Sequence, residues 1–425
     1  MTEHNNINIS PNTIQINDDI MKELIIYIND NYSKEEMIER VINDYQKKIN
    51  ELLKITPGIS TGLMDISDTI KINTYDGNIS DIQKQKIDKD VVFDASSMTK
   101  MFTIILLLKE EEKGNIDLNR NFSDYSKLFK NIDIPVIELL RFKNELRTDG
   151  RLDIKGLTNN EILKRFLNTY IYKKNIYRYS DIPYMLAPLL FGKTEEEATA
   201  NYLDIFYETY KEMGLTQTGY STINMTGGII EDNQVSTIFD PKARIFEKKL
   251  GYISGHAGLT TTVQDIEKLF IQLNNGFLNE TSLKKILKQE DTFERGAGVY
   301  VNKNQKEFGL ISKFLSENAF AISGSTGTYA VFDLDSGLMT TYFANIKSTT
   351  RKKKFNTGNI YTFGGKKGIL PNNFETIVIG GTGTIRDGRI INENGEEISF
   401  FRAMDNFKEE QIKTLLKIKA IKKIR

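Results

Sequence analysis

Between residues 19 and 53 apolar positions recur every three or four residues (Ile20, Leu24, Ile25, Ile28, then Met37, Val41, Ile42, Tyr45, Ile49), which predicts two helices ahead of the main fold. Pro57 and Gly58 end that period, and stretches 59–66 and 69–75 then read as strands closed by the Asp76, Gly77 turn signal. A long helix is predicted over 97–113, stopping at Gly114, with a middle from Met101 to Leu108 so apolar that most of its sides must be buried. Helical and irregular patterns continue to about residue 190, and further helices are predicted over 195–213 and 263–273. Strand signals return at 298–301, 319–322, 329–334 and 338–344. A hairpin is expected around Arg386, Asp387 and Gly388, and a cationic helix from about Lys408 to the end. Strands first, helices in the middle and strands last predict an α/β (α+β) fold with one sheet built from both ends of the chain. The expected organisation is a helical extension over 1–54, a main domain over 55–346 with a helical insertion at about 115–250, and a C-terminal extension over 347–425.

Composition narrows the chemistry. The chain has 425 residues, with Lys plus Arg balancing Asp plus Glu at 57 each, so no bulk attraction to nucleic acid or an acidic membrane is expected. It has no cysteine, which excludes disulfides, thiol nucleophiles and thiolate metal sites. His4 and His256 are the only histidines, too few for a multi-histidine metal centre, and His4 lies in a polar terminal segment. No metal and no cofactor is therefore expected. Residues 1–20 lack an apolar stretch of signal-peptide length and no run of about 18 apolar residues occurs, so a cytoplasmic location without a membrane span is expected.

The chemistry concentrates at Ser97 and Lys100. A Ser-x-x-Lys spacing on a helix puts hydroxyl and amine on one face, and a serine becomes nucleophilic when a base takes its proton. Ser97 also falls at the predicted helix N-terminus, where backbone N–H groups favour the negative charge of an oxyanion. The spacing is weak by itself, because Ser282 and Lys285 share it in a polar context read as surface. Context separates the two pairs: Lys100 interrupts an apolar run, and a lysine on a buried helix is costly unless paired or put to use.

The stretch FDASSMTKMFT at 93–103 resembles the nucleophile segment of the serine β-lactamase and penicillin-binding-protein superfamily, in particular its class C β-lactamase, esterase and D-aminopeptidase branch. Tyr179, Ser180 and Asp181 look like that family's Tyr-x-Asn or Tyr-Ser-Asp signature, and Pro183 with the apolar residues after it continues the likeness. Tyr202 and Asp204 repeat the spacing inside a predicted helix and lack the flanking pattern. FDPKA at 239–243 and SGHAGL at 254–259 look like a loop of the esterase-like branch. The third signature, Lys-Thr-Gly or His-x-Gly, is matched by Ile322, Ser323 and Gly324, so Ile322 stands where the family carries a cation or histidine.

The resemblance implies a β-lactamase-like antiparallel sheet flanked by helices and an acyl-enzyme on Ser97. Lys100 and Tyr179 would share the general-base role, with Asp181 bound to Lys100 and keeping it charged, which makes Tyr179 the first base. Ser323, Gly324 and Ser325 would line the substrate, and the Ser325 backbone N–H would be the second oxyanion donor beside that of Ser97. His256 is a supporting residue, read foremost as a structural hydrogen-bonding one. Asp181 also fits a helix N-cap ahead of Pro183. The loss of the cation at Ile322 weighs against β-lactam and carboxypeptidase activity and favours a neutral acyl group. The expected function is hydrolysis of an ester or amide in a small-molecule or peptide substrate, with an acyltransferase using the same acyl-enzyme as first alternative and a non-catalytic binding or sensor protein as second. Gly380 to Gly383 lacks the third glycine of a dinucleotide fingerprint and reads as strand and turn, and the terminal cations Lys413, Lys417, Lys419, Lys422, Lys423 and Arg425 read as a solvated face. Nothing in the sequence indicates an oligomeric state.

Overall fold

The computed structural model describes residue 22 and residues 32–53, 56–79, 85–152, 156–220, 253–289, 295–302, 311–344 and 400–423, with short strand pairs between 353 and 398. The first predicted N-terminal helix, His4, the 239–243 motif, Gly380 to Gly383, and the turn at 386–388 lie outside the described residues.

Six strands form one antiparallel sheet: β1 (Gly58–Asp65), β2 (Ile70–Gly77), β3 (Tyr300–Val301), β4 (Phe320–Gly324), β5 (Thr328–Asp333) and β6 (Leu338–Ala344), in the order β2-β1-β6-β5-β4-β3. The two ends of the chain meet where β1 pairs with β6, from Ile59 opposite Ala344 to Asp65 opposite Leu338. Both faces of the sheet are covered. Along β5, Tyr329 and Val331 enter one core and Ala330 and Phe332 the other, the period-two alternation that a strand imposes.

One face carries the helical region. Helix α2 (Thr99–Glu112) runs through its centre, buried on nearly every side as its apolar run predicts. Ahead of it a single 3₁₀ turn, Ser96–Met98, carries Ser97. Helices α3 (Ile182–Leu186), α4 (Glu195–Glu212) and α5 (Val263–Asn274) surround it. A small sheet with Leu259–Thr261 at its centre, between Phe93–Asp94 and Gly219–Tyr220, ties the start of the nucleophile segment to the loop that contains His256.

The other face is covered by helices α1 (Lys34–Leu52) and α6 (Phe400–Lys423), from the segments read as extensions. A Ser33–Glu36 capping box starts α1, and Met37, Val41, Tyr45 and Ile49 form the stripe it buries. The Tyr45 ring stacks on Phe407 at 5.5 Å, and Gln411 bridges the Tyr45 hydroxyl at 3.1 Å and the Thr341 carbonyl of β6 at 2.9 Å.

Two expectations change here. The terminal helix begins at Phe400, ahead of Lys408, and its cations are not uniformly solvated. Lys408, Lys417 and Lys419 are buried, and Lys419 reaches Asp65 at 2.7 Å and Asp68 at 3.1 Å, because the end of β1 presents carboxylates that need a partner. Ser282 is also buried: helix Glu280–Leu287 turns Ser282 and Ile286 inward, one turn apart, while Lys285 leaves for Glu111 at 2.7 Å. That second Ser-x-x-Lys pair is thereby parted.

Replacing Lys419 with alanine strands the Asp65 carboxylate and should cost about 3 kcal/mol in urea unfolding. The same change at exposed Lys422 should stay within about 0.5 kcal/mol. Equal small effects at both would restore the solvated face.

Candidate active site

The strand Phe93–Asp94 ends in a tight elbow. Ser96, a non-glycine residue, takes φ +47°, which side chains other than glycine adopt at a cost of order 1 kcal/mol. Surrounding bonds hold it there: the Ser96 N–H donates to the Asp94 carboxylate at 2.7 Å, and the Ala95 N–H donates to the Leu259 carbonyl at 2.8 Å. From the sheet, the Thr326 hydroxyl donates to the Asp94 carbonyl at 2.7 Å and the Thr328 hydroxyl to that of Ala95 at 3.2 Å. The end of β4 presses against the same elbow. A Cβ at Gly324 would come within 2.4 Å of the Ala95 carbonyl, so only glycine fits. The result is that Ser97 stands at the start of a buried helix, beside the open end of a strand.

Four of the expected residues meet there. The Lys100 Nζ lies 3.1 Å from Ser97 Oγ, 2.9 Å from the Asp181 carboxylate and 3.2 Å from the His256 carbonyl. The Tyr179 hydroxyl donates to Ser97 Oγ at 2.9 Å. Lys100 is fully enclosed. Burial alone pushes its amine down, but the negative charge of Asp181 and the hydrogen bonds the amine makes with Asp181 and Tyr179 outweigh burial and hold it above the usual lysine range. Lys100 is thus an ammonium at neutral pH, a donor to Ser97 rather than an acceptor of its proton.

The remaining expected residues fall into place differently. Asp181 occupies the N-cap position of α3, yet its side chain makes no capping bond and turns to Lys100 instead. His256 serves Lys100 through its main-chain carbonyl, while its buried ring is held by the Ser254 hydroxyl at 2.6 Å. Ser325 touches the elbow, its hydroxyl 2.9 Å from that of Ser96. Ser323 and Ile322 pair with Tyr329 and Ala330, and Ile322 is buried in the helical core.

Two neighbours were not legible beforehand. Phe142, itself at φ +60°, lays its ring 5.1 Å from that of Tyr179, and its carbonyl accepts the Arg178 N–H at 2.9 Å. The Arg295 guanidinium lies 3.6 Å from the Tyr300 ring centroid and 4.2 Å from that of Tyr179. The only sequence signal for Arg295 is a cation before a glycine-rich strand start, which is too common to single out. The exposed large apolar side chains among the described residues, Tyr170, Tyr172, Ile176 and Tyr179, all fall in one stretch of the chain that ends in the site at Tyr179.

The Lys100–Asp181 pair yields a signed prediction. Because the folded-state amine lies above the usual lysine range, its contribution to stability is complete below about pH 10 and fades as pH rises through the amine's own range. Asp181→Asn should therefore cost about 3 kcal/mol in urea unfolding at neutral pH, with the gap to wild type narrowing in strong alkali. Lys100→Met, which removes the charge and keeps the stem, should lose less stability than Asp181→Asn; the reverse order would refute the pairing.

Comparison with known proteins agrees with this geometry. The β-lactamase family model matches residues 55–361. A Salmonella typhi relative bearing the name of a D-alanyl-D-alanine carboxypeptidase is 26% identical over 312 residues, 61% of this chain and 70% of its own. Among solved structures, EstCE1, a hydrolase with promiscuous acyltransferase activity, superposes with a TM-score of 0.56 at 14% identity, covering 73% of this chain and 94% of its own. The D-amino acid amidase of Ochrobactrum anthropi SV3, in complex with L-phenylalanine amide, gives 0.53 at 17% identity over 72% and 91%. With the matched family model spanning the sheet, the elbow and the Tyr179 segment alike, this chain belongs to the β-lactamase family of serine hydrolases.

Proposed function

We propose that this serine hydrolase works through an acyl-enzyme on Ser97 and cleaves an ester or amide with an uncharged acyl group. The observation that carries the reading is the convergence on Ser97 Oγ of the Lys100 ammonium at 3.1 Å and the Tyr179 hydroxyl at 2.9 Å. With Lys100 held as a cation by Asp181, the Tyr179 phenol first gives its own proton to solvent, and the proton of Ser97 then passes to that phenolate as Oγ attacks the carbonyl carbon. The carbonyl π pair moves to oxygen, and the backbone N–H groups of Ser97 and Ser325 are the donors that the family resemblance assigns to that oxyanion. Tyr179 then returns the proton to the leaving group as its bond to carbon breaks, and water repeats the cycle on the acyl-enzyme.

The buried, apolar Ile322 supports an uncharged acyl group, since that strand position offers no charge to a substrate carboxylate. The names of the relatives bring amine leaving groups to the proposal, from a D-alanyl-D-alanine peptide bond and from D-amino-acid amides. A second reading, transfer of the acyl group to an acceptor other than water, is favoured by the exposed Tyr170 and Ile176 in the stretch that leads to Tyr179 and by the activity in the name of EstCE1. A binding-only protein has no feature in its favour, because Ser97, Lys100 and Tyr179 are all retained and in contact.

A fluorophosphonate probe followed by intact-mass measurement should add one label to the wild type and none to Ser97→Ala; a label on both, or on neither, sinks the acyl-enzyme. Tyr179→Phe should lower kcat on an activated ester by about 10²–10⁴-fold. Supplying that ester with amine or alcohol acceptors separates the two readings: product outpacing hydrolysis identifies a transferase.

A further inference from the structure

At the strand position where the family resemblance places a cation or histidine, this chain has Ile322, 1% exposed and paired with Ala330. A positive charge nevertheless enters from another direction. Arg295, 8% exposed, sets its guanidinium 4.2 Å from the Tyr179 ring centroid and 3.6 Å from that of Tyr300, and donates to the Tyr300 hydroxyl. Among the described residues no carboxylate lies within ion-pair distance of it. A buried guanidinium is costly without a negative partner, and what faces this one is the ring of the residue that carries the proton.

The placement is built into the chain. Arg295 and Tyr300 bridge across a tight turn, with the Gly296 N–H donating to the Val299 carbonyl at 3.0 Å. Gly298 in that turn takes φ +76°, and a Cβ there would lie 2.4 Å from the Tyr184 hydroxyl. The turn is thereby pressed onto Tyr184, whose ring is 5.7 Å from Phe142, itself against Tyr179. Among the described residues, the charged and titratable groups around Tyr179 are Lys100 at 5.1 Å with Asp181 behind it, Arg295 on the ring, the Ser97 hydroxyl, and Tyr184, which burial keeps neutral with its hydroxyl bound to the Leu140 carbonyl. Tyr179 thus lies against two cations, and only Lys100 has a carboxylate among the described residues.

We infer that Arg295 is a positioning residue for Tyr179, supplying from outside the sheet the positive charge that Ile322 does not. Tyr179, which is exposed, accepts the Ser97 proton only after its own has passed to solvent, and the resulting phenolate lies between Lys100 and Arg295. A cation against the ring face favours that anion more than the neutral phenol. When Oγ bonds to the carbonyl carbon the proton neutralises the phenolate, and Arg295 keeps the ring oriented until the proton leaves with the alcohol or amine. Stacking on two rings fits this role better than recognition of a substrate carboxylate, for which the fork of N–H donors must point outward.

The inference rests on the proposed acyl-enzyme, and the test separates the two. Wild type, Arg295→Gln and Arg295→Lys are assayed for kcat and KM across pH on two activated esters, one neutral and one bearing a carboxylate, with thermal melting to confirm folding. Arg295→Gln should lower kcat by about 10–100-fold on both esters with KM nearly unchanged, and should move the acidic limb of the profile to higher pH. Arg295→Lys should recover most of the loss and the limb. A raised KM confined to the carboxylate ester would make Arg295 a substrate anchor and overturn the inference. So would a loss with an unmoved limb that lysine does not rescue, or an Arg295→Gln enzyme equal to wild type. A wild type that neither hydrolyses ester nor takes up fluorophosphonate would instead overturn the acyl-enzyme itself.

Discussion

An ammonium with no access to water needs a negative partner, and the layout around Lys100 follows from that need. Asp181 is bent away from the helix end it would otherwise cap, and the His256 carbonyl is drawn inward from its loop. These partners come from parts of the chain far from one another, so the helical region has to fold as one piece for the charge to be tolerated. In the acyl-enzyme mechanism proposed above, a lysine held this firmly as a cation steers Ser97 and steadies negative charge, and the traffic of protons passes to the tyrosine.

The elbow before Ser97 shows the same economy. Ser96 sits in a left-handed backbone conformation that its surroundings impose through four hydrogen bonds from three directions. Strain of this kind persists only where the rest of the structure over-determines it. Two of those bonds come from Thr326 in the turn after Gly324 and from Thr328 at the start of the next strand, and Gly324 itself packs against the elbow, so the sheet and Ser97 are fixed relative to each other by contacts too close for any side chain.

The sequence made the buried helix over 99–112 and the main strands legible because each carries an uninterrupted period, and strands at both ends of the chain imply a shared sheet. The convergence of Ser97, Lys100, Tyr179 and Asp181 was legible through motif order. What escaped depends on contacts between distant segments. The start of the last helix was hidden because the residues from Phe400 onward mix charge and aromatics without a clear stripe, and its cations read as solvated until β1 was seen to present Asp65 to Lys419. Ser282 looked exposed because Lys284 and Lys285 flank it, although its partner in burial is Ile286 one turn on. The part played by His256 was displaced from ring to carbonyl, a distinction that residue identity does not carry. Arg295 acquires meaning only from the tyrosine rings against which it lies.

The pairing of β1 with β6 has a consequence for how the molecule is made. A ribosome releases β1, then the whole helical region, and only much later the strand that must lie beside β1. During that interval helix α2, apolar on almost every side, has been synthesised but the sheet it rests on is incomplete. Long-range pairing of this kind is slow and leaves sticky surface exposed in the meantime. The lag between the first strand and the last therefore sets how long that apolar surface stays open to aggregation.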